Sequence, residues 1–172
     1  MIQIDRPTAE ISQRTLTLFT AKAMRAIGLK GELSVRITSN GQIQQLNRHF
    51  RRKDKPTDVL SFPAAVDGTV GDIAISSDIA AANAKKLGHP LATELKVLIL
   101  HGLLHLAGYD HESDKGEMTA RESQLRQKLQ LPLGLIERTN GSSRHIGEQI
   151  PRSARDDKSK KRSASKRGGR RA

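Results

Sequence analysis

Apolar and polar positions recur along this chain with two periods, and the alternation divides roughly its first 130 residues into short elements. Residues 1–5 read as a short strand. Over residues 8–27, Ile11, Leu16, Leu18, Phe19, Ala23 and Ile27 recur at helical spacing until Gly28 closes the run. In Glu32–Thr38, Leu33, Val35 and Ile37 alternate with polar neighbours, the two-residue period of a strand with one buried face. Ser39 with Gln42 fits a capping box that opens a helix running to about Phe50. A basic loop, RRKDKPT, follows. Residues 58–62 and 70–76 then read as two strands, parted by a turn at Asp67 and Gly68. Ser77–Leu87 reads as a helix stopped by Gly88. Residues 91–107 are apolar almost all round, which predicts a helix buried on every side. Residues 114–129 are amphipathic, with Met118, Leu125 and Leu129 on one side. Beyond Pro132 the periodicity fades, and no internal repeat is visible.

Strands and helices mixed in this order predict a chain of both element types with one central buried helix. The length of 172 residues suits one domain, expected over residues 1–140. Residues 141–172 are Ser, Arg, Lys and Gly with little to bury, and are expected to be a disordered basic tail. Charge sharpens that division. The net charge is +12, and from Pro151 onward 10 Lys/Arg stand against 2 Asp, leaving 20 against 16 in residues 1–150. The tail thus carries +8 of the total, which fits either a polyanion partner or a merely solubilising extension. With no cysteine, disulfides and cysteine-based metal ribbons are excluded. No secretory signal is visible, and Glu94, Lys96, His101 and His105 interrupt the most apolar segment, so a cytoplasmic protein without a membrane span is expected.

The central segment carries the candidate chemistry. HGLLHLAGYDH places His101, His105 and His111 in the spacing H-x3-H-x5-H. Histidines four apart share one face of a helix. Gly108 can end that helix and reverse the chain, so that His111 folds back as a third ligand. Three neutral imidazoles with an open fourth position suit one catalytic zinc ion. The run matches the metzincin pattern H-E-x-x-H-x-x-G-x-x-H except that Gly102 replaces the glutamate that serves as peptidase base. The expected chemistry is therefore hydrolysis of another substrate class. Zinc lowers the pKa of a bound water to about 7, so a missing base does not abolish hydrolysis. Asp110 and Glu112 flank His111 and can orient an imidazole, although solvated carboxylates are the plainer reading. A phosphodiester gains negative charge in its transition state, and the basic loop offers Arg51, Arg52, Lys53 and Lys55 to meet it.

Three motifs in order, NRHFRRKDKPTDVLSFP, GDIAIS and HGLLHLAGYDH, precede a helix bearing Glu117, Met118 and Glu122. Over roughly residues 32–130 this arrangement resembles the YbeY family, zinc endoribonucleases of ribosomal RNA maturation. The resemblance implies a small α+β fold, a small mixed β-sheet packed with helices around a central buried helix that carries the first two zinc ligands. By position it implies His101, His105 and His111 as the ligands, Arg51 as the arginine that meets the RNA phosphate, and Asn47 and Phe50 as motif residues. Arg51 and His105 are then the residues expected to carry catalysis. Asp72 falls where the family keeps an acidic or polar residue, with a structural role at least as plausible as one near the site. The activity implied is cleavage of single-stranded RNA in 3′-end processing of small-subunit rRNA and in ribosome quality control, with the small subunit or its assembly proteins as partners. A monomer is favoured, and the basic tail departs from the family pattern.

Two rivals stand beside this reading: a non-catalytic assembly factor clasped by zinc, and a zinc hydrolase of another class. Only four aromatics are present, Phe19, Phe50, Phe62 and Tyr109. Phe19 and Phe62 are expected in the core, no stacking platform is evident, and RNA recognition is expected to rest on phosphate and shape. His49, His89 and His145 receive no role.

Overall fold

The protein is described by a computed structural model covering residues 1–6, 10–64, 66, 68–110 and 114–132. Strands β1 (Ile2–Ile4), β2 (Glu32–Thr38), β3 (Val59–Pro63) and β4 (Thr69–Ser76) form one sheet in the order β1-β2-β4-β3. β1 pairs parallel with β2, and β2 parallel with β4, while β3 runs antiparallel to β4 along one edge. The helices are α1 (Gln13–Ile27), α2 (Asn40–Arg51), α3 (Ser77–Leu87), α4 (Leu91–Leu106) and α5 (Glu117–Leu129). The fold is α+β with a small mixed sheet, as the family resemblance implies.

Strand periodicity sorts the two faces. Leu33, Val35, Ile37, Ile73 and Ile75 are buried on the face that packs against α1, α4 and α5, forming the main core. Leu60 and Ala74 point the other way and meet Ile43 of α2, with Phe62 half-buried beside them. This front and back division follows from side chains alternating across the pleat. Helix α4 is the front-face centrepiece: Leu95, Val97, Leu98, Ile99, Leu100, Leu103 and Leu104 are all fully buried. Among the described residues no helix is long and apolar enough to cross a membrane.

Local chemistry explains most boundaries, and two of them shift from expectation. Ser12 caps α1 by accepting from the Thr15 amide, so the helix starts at Gln13; the expected start at Thr8 lies outside the described residues. Leu18, counted in the apolar stripe, is 63% exposed, because α1 buries only the face bearing Leu16, Phe19 and Ala23. Ser39 caps α2 as expected, but only half of the capping box forms. The Gln42 side chain accepts from the Thr38 hydroxyl instead of reaching back to the cap amide. Helix α5 starts at Glu117, after Asp114 has captured the amides of Gly116 and Met118 in a local turn. The expected tail, residues 141–172, lies outside the described residues, as do Asp67 of the expected turn and His145.

Candidate metal centre and nucleic-acid interface

Helix α4 places His101 and His105 on one face, one turn apart. Their Nε2 atoms stand 3.1 Å from each other, with the ring planes at 79°. His101 is buried and His105 half-buried, so the pair lies at the boundary between core and solvent. The other ring nitrogen of His101 is engaged by α5: Nδ1 lies 3.0 Å from Glu122 Oε2. A carboxylate accepts and cannot donate, so Nδ1 carries the proton, and in the neutral ring Nε2 keeps its lone pair. Glu122 is itself fixed by Arg126, whose Nε donates to Oε1 at 2.9 Å, and both are almost wholly buried. The chain Arg126–Glu122–His101 therefore sets ring orientation and tautomer, which is how metal-ligating imidazoles are commonly held.

The donor geometry can be tested against a metal. Two nitrogens at 2.0–2.1 Å from a tetrahedral ion are separated by about 3.3 Å, close to the spacing of this pair. Among the described residues no group of three metal-ligating side chains converges. His111, expected as the third, lies outside the described residues together with Glu112. The reversal expected to precede it is present. Ala107 ends α4, the Gly108 amide donates to His105 O and the Tyr109 amide to Leu104 O, and Gly108 takes φ 90°. This paired closure suits glycine, the residue without a Cβ penalty in the left-handed region.

Gly102 has a direct physical explanation. A Cβ there would lie 3.0–3.1 Å from the Ile73 side chain and 3.1 Å from Ser61 Oγ. The position faces the sheet, where α4 lies close against β3 and β4, and Ser61 Oγ donates to Gly102 O at 3.3 Å. Any side chain at this point, a glutamate included, requires Ile73 and Ser61 to give way by a few tenths of an ångström.

The phosphate-facing candidates lie elsewhere. Arg51 is the last residue of α2, exposed, with no hydrogen bond or ion pair to His101 or His105 among the described residues. Arg52 follows at φ 57° and turns the chain out of the helix. Asn47 shapes the loop beyond. It is buried, its backbone carbonyl accepts from Arg52 and, at 3.3 Å, from Lys53, and its side-chain amide donates to Lys55 O at 2.7 Å. This assigns the motif asparagine a positioning task. Arg48, Arg51, Arg52, Lys53 and Lys55 are all exposed there, with Asp54 tied to Gln44. Asp72 is exposed on the back face of β4, pointing away from the face that packs α4, next to the Phe62 position of β3.

The sequence model of the family described as Endoribonuclease YbeY matches residues 2–130. The chain belongs to the YbeY family. That match extends on the N-terminal side beyond the motif-bearing stretch of residues 32–130. A relative named Endoribonuclease YbeY from Koribacter versatilis (strain Ellin345) is 55% identical over 152 residues, covering 88% of this chain and 100% of its own. One of the same name from Helicobacter pylori (strain ATCC 700392 / 26695) is 41% identical over 141 residues, covering 81% of this chain and 99% of its own. A solution structure from Thermotoga maritima aligns with TM-score 0.55 at 25% identity, covering 88% of this chain and 100% of that one.

Sequence reasoning missed the buried carboxylate–arginine pair that orients His101. Glu112, beside His111, lies outside the described residues, while Glu122 orients the ring of His101. A signal for it existed: Met118, Glu122, Leu125, Arg126 and Leu129 share one helix face, so two opposite charges interrupt an apolar stripe. His89, given no role, pairs with the buried Glu94 at 3.1 Å.

Proposed function

We propose that this YbeY-family chain is a zinc-dependent endoribonuclease that cleaves single-stranded RNA, with ribosomal RNA of the small subunit as its substrate and the subunit or its assembly proteins as partners. The observation that carries the reading is the His101–His105 pair, with Nε2 atoms 3.1 Å apart and one tautomer fixed by Glu122. The family description and the names of its relatives supply the substrate class.

His101 and His105 would hold one zinc ion, with His111 as the third ligand. Zinc, when bound, supplies Lewis acidity toward a phosphoryl oxygen and a water of lowered pKa. The protein's own groups do the rest. Glu122 holds the Nδ1 proton of His101 and keeps its ring from turning, and Arg126 holds Glu122. Arg51 offers a guanidinium that pairs with a phosphate as charge grows on it. A half-buried pair of rings admits a flexible strand more readily than a stiff duplex, which favours unpaired RNA. The tight packing of Gly102 against Ile73 and Ser61 disfavours the peptidase alternative, since the position for its base faces the sheet. The basic tail is proposed as an RNA-holding arm, on its +8 charge.

The test is cleavage of a labelled unstructured RNA by wild type, His105→Ala and Arg51→Ala, purified identically. Wild-type cleavage that chelation abolishes and zinc restores, with both variants reduced at least about a hundredfold, is expected. Equal cleavage by all three, or by none, would turn the reading toward an assembly factor in which the metal is a structural clasp.

A further inference from the structure

Phe50 is 59% exposed at the C-terminal end of α2, an unusual place for a ring of its size to meet water. It is not alone there. Its ring centroid lies 4.9 Å from that of Phe62 on β3, tilted by 58°, and 4.7 Å from that of His49 at 84°. Phe62 is half-buried against Leu60, Ala74 and Ile43, so it gives Phe50 a fixed backing, and Phe50 keeps much of its surface open. Two of the chain's four aromatics thus form a supported step at the surface, with His49 alongside. The same end of α2 and the loop after it carry Arg48, Arg51, Arg52 and Lys53, all exposed. An apolar ring in a field of cations suits a ligand with a flat apolar face and a polyanionic backbone.

We propose that Phe50, backed by Phe62, seats one unpaired nucleobase of the RNA substrate, while the neighbouring cations hold its flanking phosphates. The nature of the ligand rests on the endoribonuclease reading above; the seat itself rests on the ring geometry. Its position adds a constraint. β3 is one of the two edge strands, and its consecutive residues face opposite ways: Ser61 touches α4 at Gly102, next to His101, whereas Phe62 touches Phe50. A strand seated on Phe50 therefore reaches the histidine face by passing around the free edge of β3. The expectation that RNA is held by phosphates and shape alone is revised accordingly: one base is gripped, without regard to its identity, because every base has a stacking face.

The chain has no tryptophan, so Phe50→Trp installs a single reporter at the seat. Its emission is expected to be quenched by oligouridylate and oligoadenylate, and not by a strand of equal phosphate number built from abasic linkers. In the full-length protein, fluorescence polarisation with the same strands should show that wild type prefers the base-bearing strand. Phe50→Ala and Phe50→Leu should both lose that preference by about 5- to 150-fold, and Phe50→Tyr should retain it. Phe50→Leu separates stacking from packing, since it keeps apolar contact with Phe62 but has no flat ring. Equal quenching by the abasic strand, or a Phe50→Leu protein with full preference, would overturn the seat. If that happens while wild type still cleaves RNA, only the seat falls. If wild type binds neither strand, the endoribonuclease reading falls with it.

Discussion

The two faces of the sheet handle polar chemistry in opposite ways. On the front, under α4 and α5, every ionisable group of the centre is linked: Arg126 to Glu122, Glu122 to His101, His101 to His105. On the back, beyond α2, the cations of residues 48–55 stand exposed, and it is the backbone that is tied down, by Asn47. Burial is the cause of the difference. A charge removed from water must be paired, so the front face buys geometric definition through a chain of partners. A hydrated cation needs no partner and holds phosphates through its field, with little demand on its exact position.

The largest break in this comparison is Glu122→Ala. It leaves Arg126 buried with its Glu122 contact removed and His101 without its orienting acceptor. Unfolding in urea should show a loss of about 3–5 kcal/mol. If metal binds as proposed, calorimetry on the refolded variant should show affinity lower by about 10- to 100-fold. A loss below about 1 kcal/mol would mean that the chain of partners does not define this face. Next in size is Gly102→Glu, which recreates the peptidase motif on paper. The added side chain meets Ile73 and Ser61 and buries a carboxylate, so a loss of roughly 3 kcal/mol is expected, with no peptidase activity gained. Wild-type stability in that variant would show that the helix can lift from the sheet.

On the back face the effects shrink. Asn47→Ala removes the bond to Lys55 O and should cost about 1–2 kcal/mol. Faster hydrogen exchange should be confined to the loop after α2, with the amides of α4 unchanged. Smallest is Asp5→Asn. The Thr38 hydroxyl, shared with Gln42, and then the Arg36 guanidinium at 3.0 Å hold the Asp5 carboxyl below its ordinary value of 3.8. A lowered folded-state value means the stabilisation is present above pH 3.8 and is lost as pH falls through the lower value. The variant should therefore be slightly less stable than wild type near neutrality and converge with it in acid. A gap that widened on acidification would reverse the assignment.

How much of this was legible in the sequence depended on range. Elements governed by neighbours in the chain read correctly: the alternation of Leu33, Val35 and Ile37, the all-round apolarity of α4, and the stop at Gly108. Strand order did not read, because parallel pairing of β2 with β4 joins segments more than thirty residues apart and leaves no local mark. The His101–His105 pair was legible for the same local reason, being one turn of one helix. Its support from Glu122 spans 21 positions and two helices, and showed only as charges out of place in a stripe. The ring contact of Phe50 with Phe62 joins α2 to β3, and no periodicity in either element reports it.

Sheet order also bears on how the chain matures as it is made. β4, which lies between β2 and β3, is the last of the described strands to be synthesised. Until residue 76 has emerged, β2 has only the three residues of β1 to pair with, and Leu33, Val35 and Ile37 have only α1 of their front-face cover. Helix α4 comes later still, and Glu122 after it. The nascent chain therefore fixes the orientation of His101 only once α5 has been translated, so among the described residues the order of synthesis makes the histidine face the last to acquire its shape.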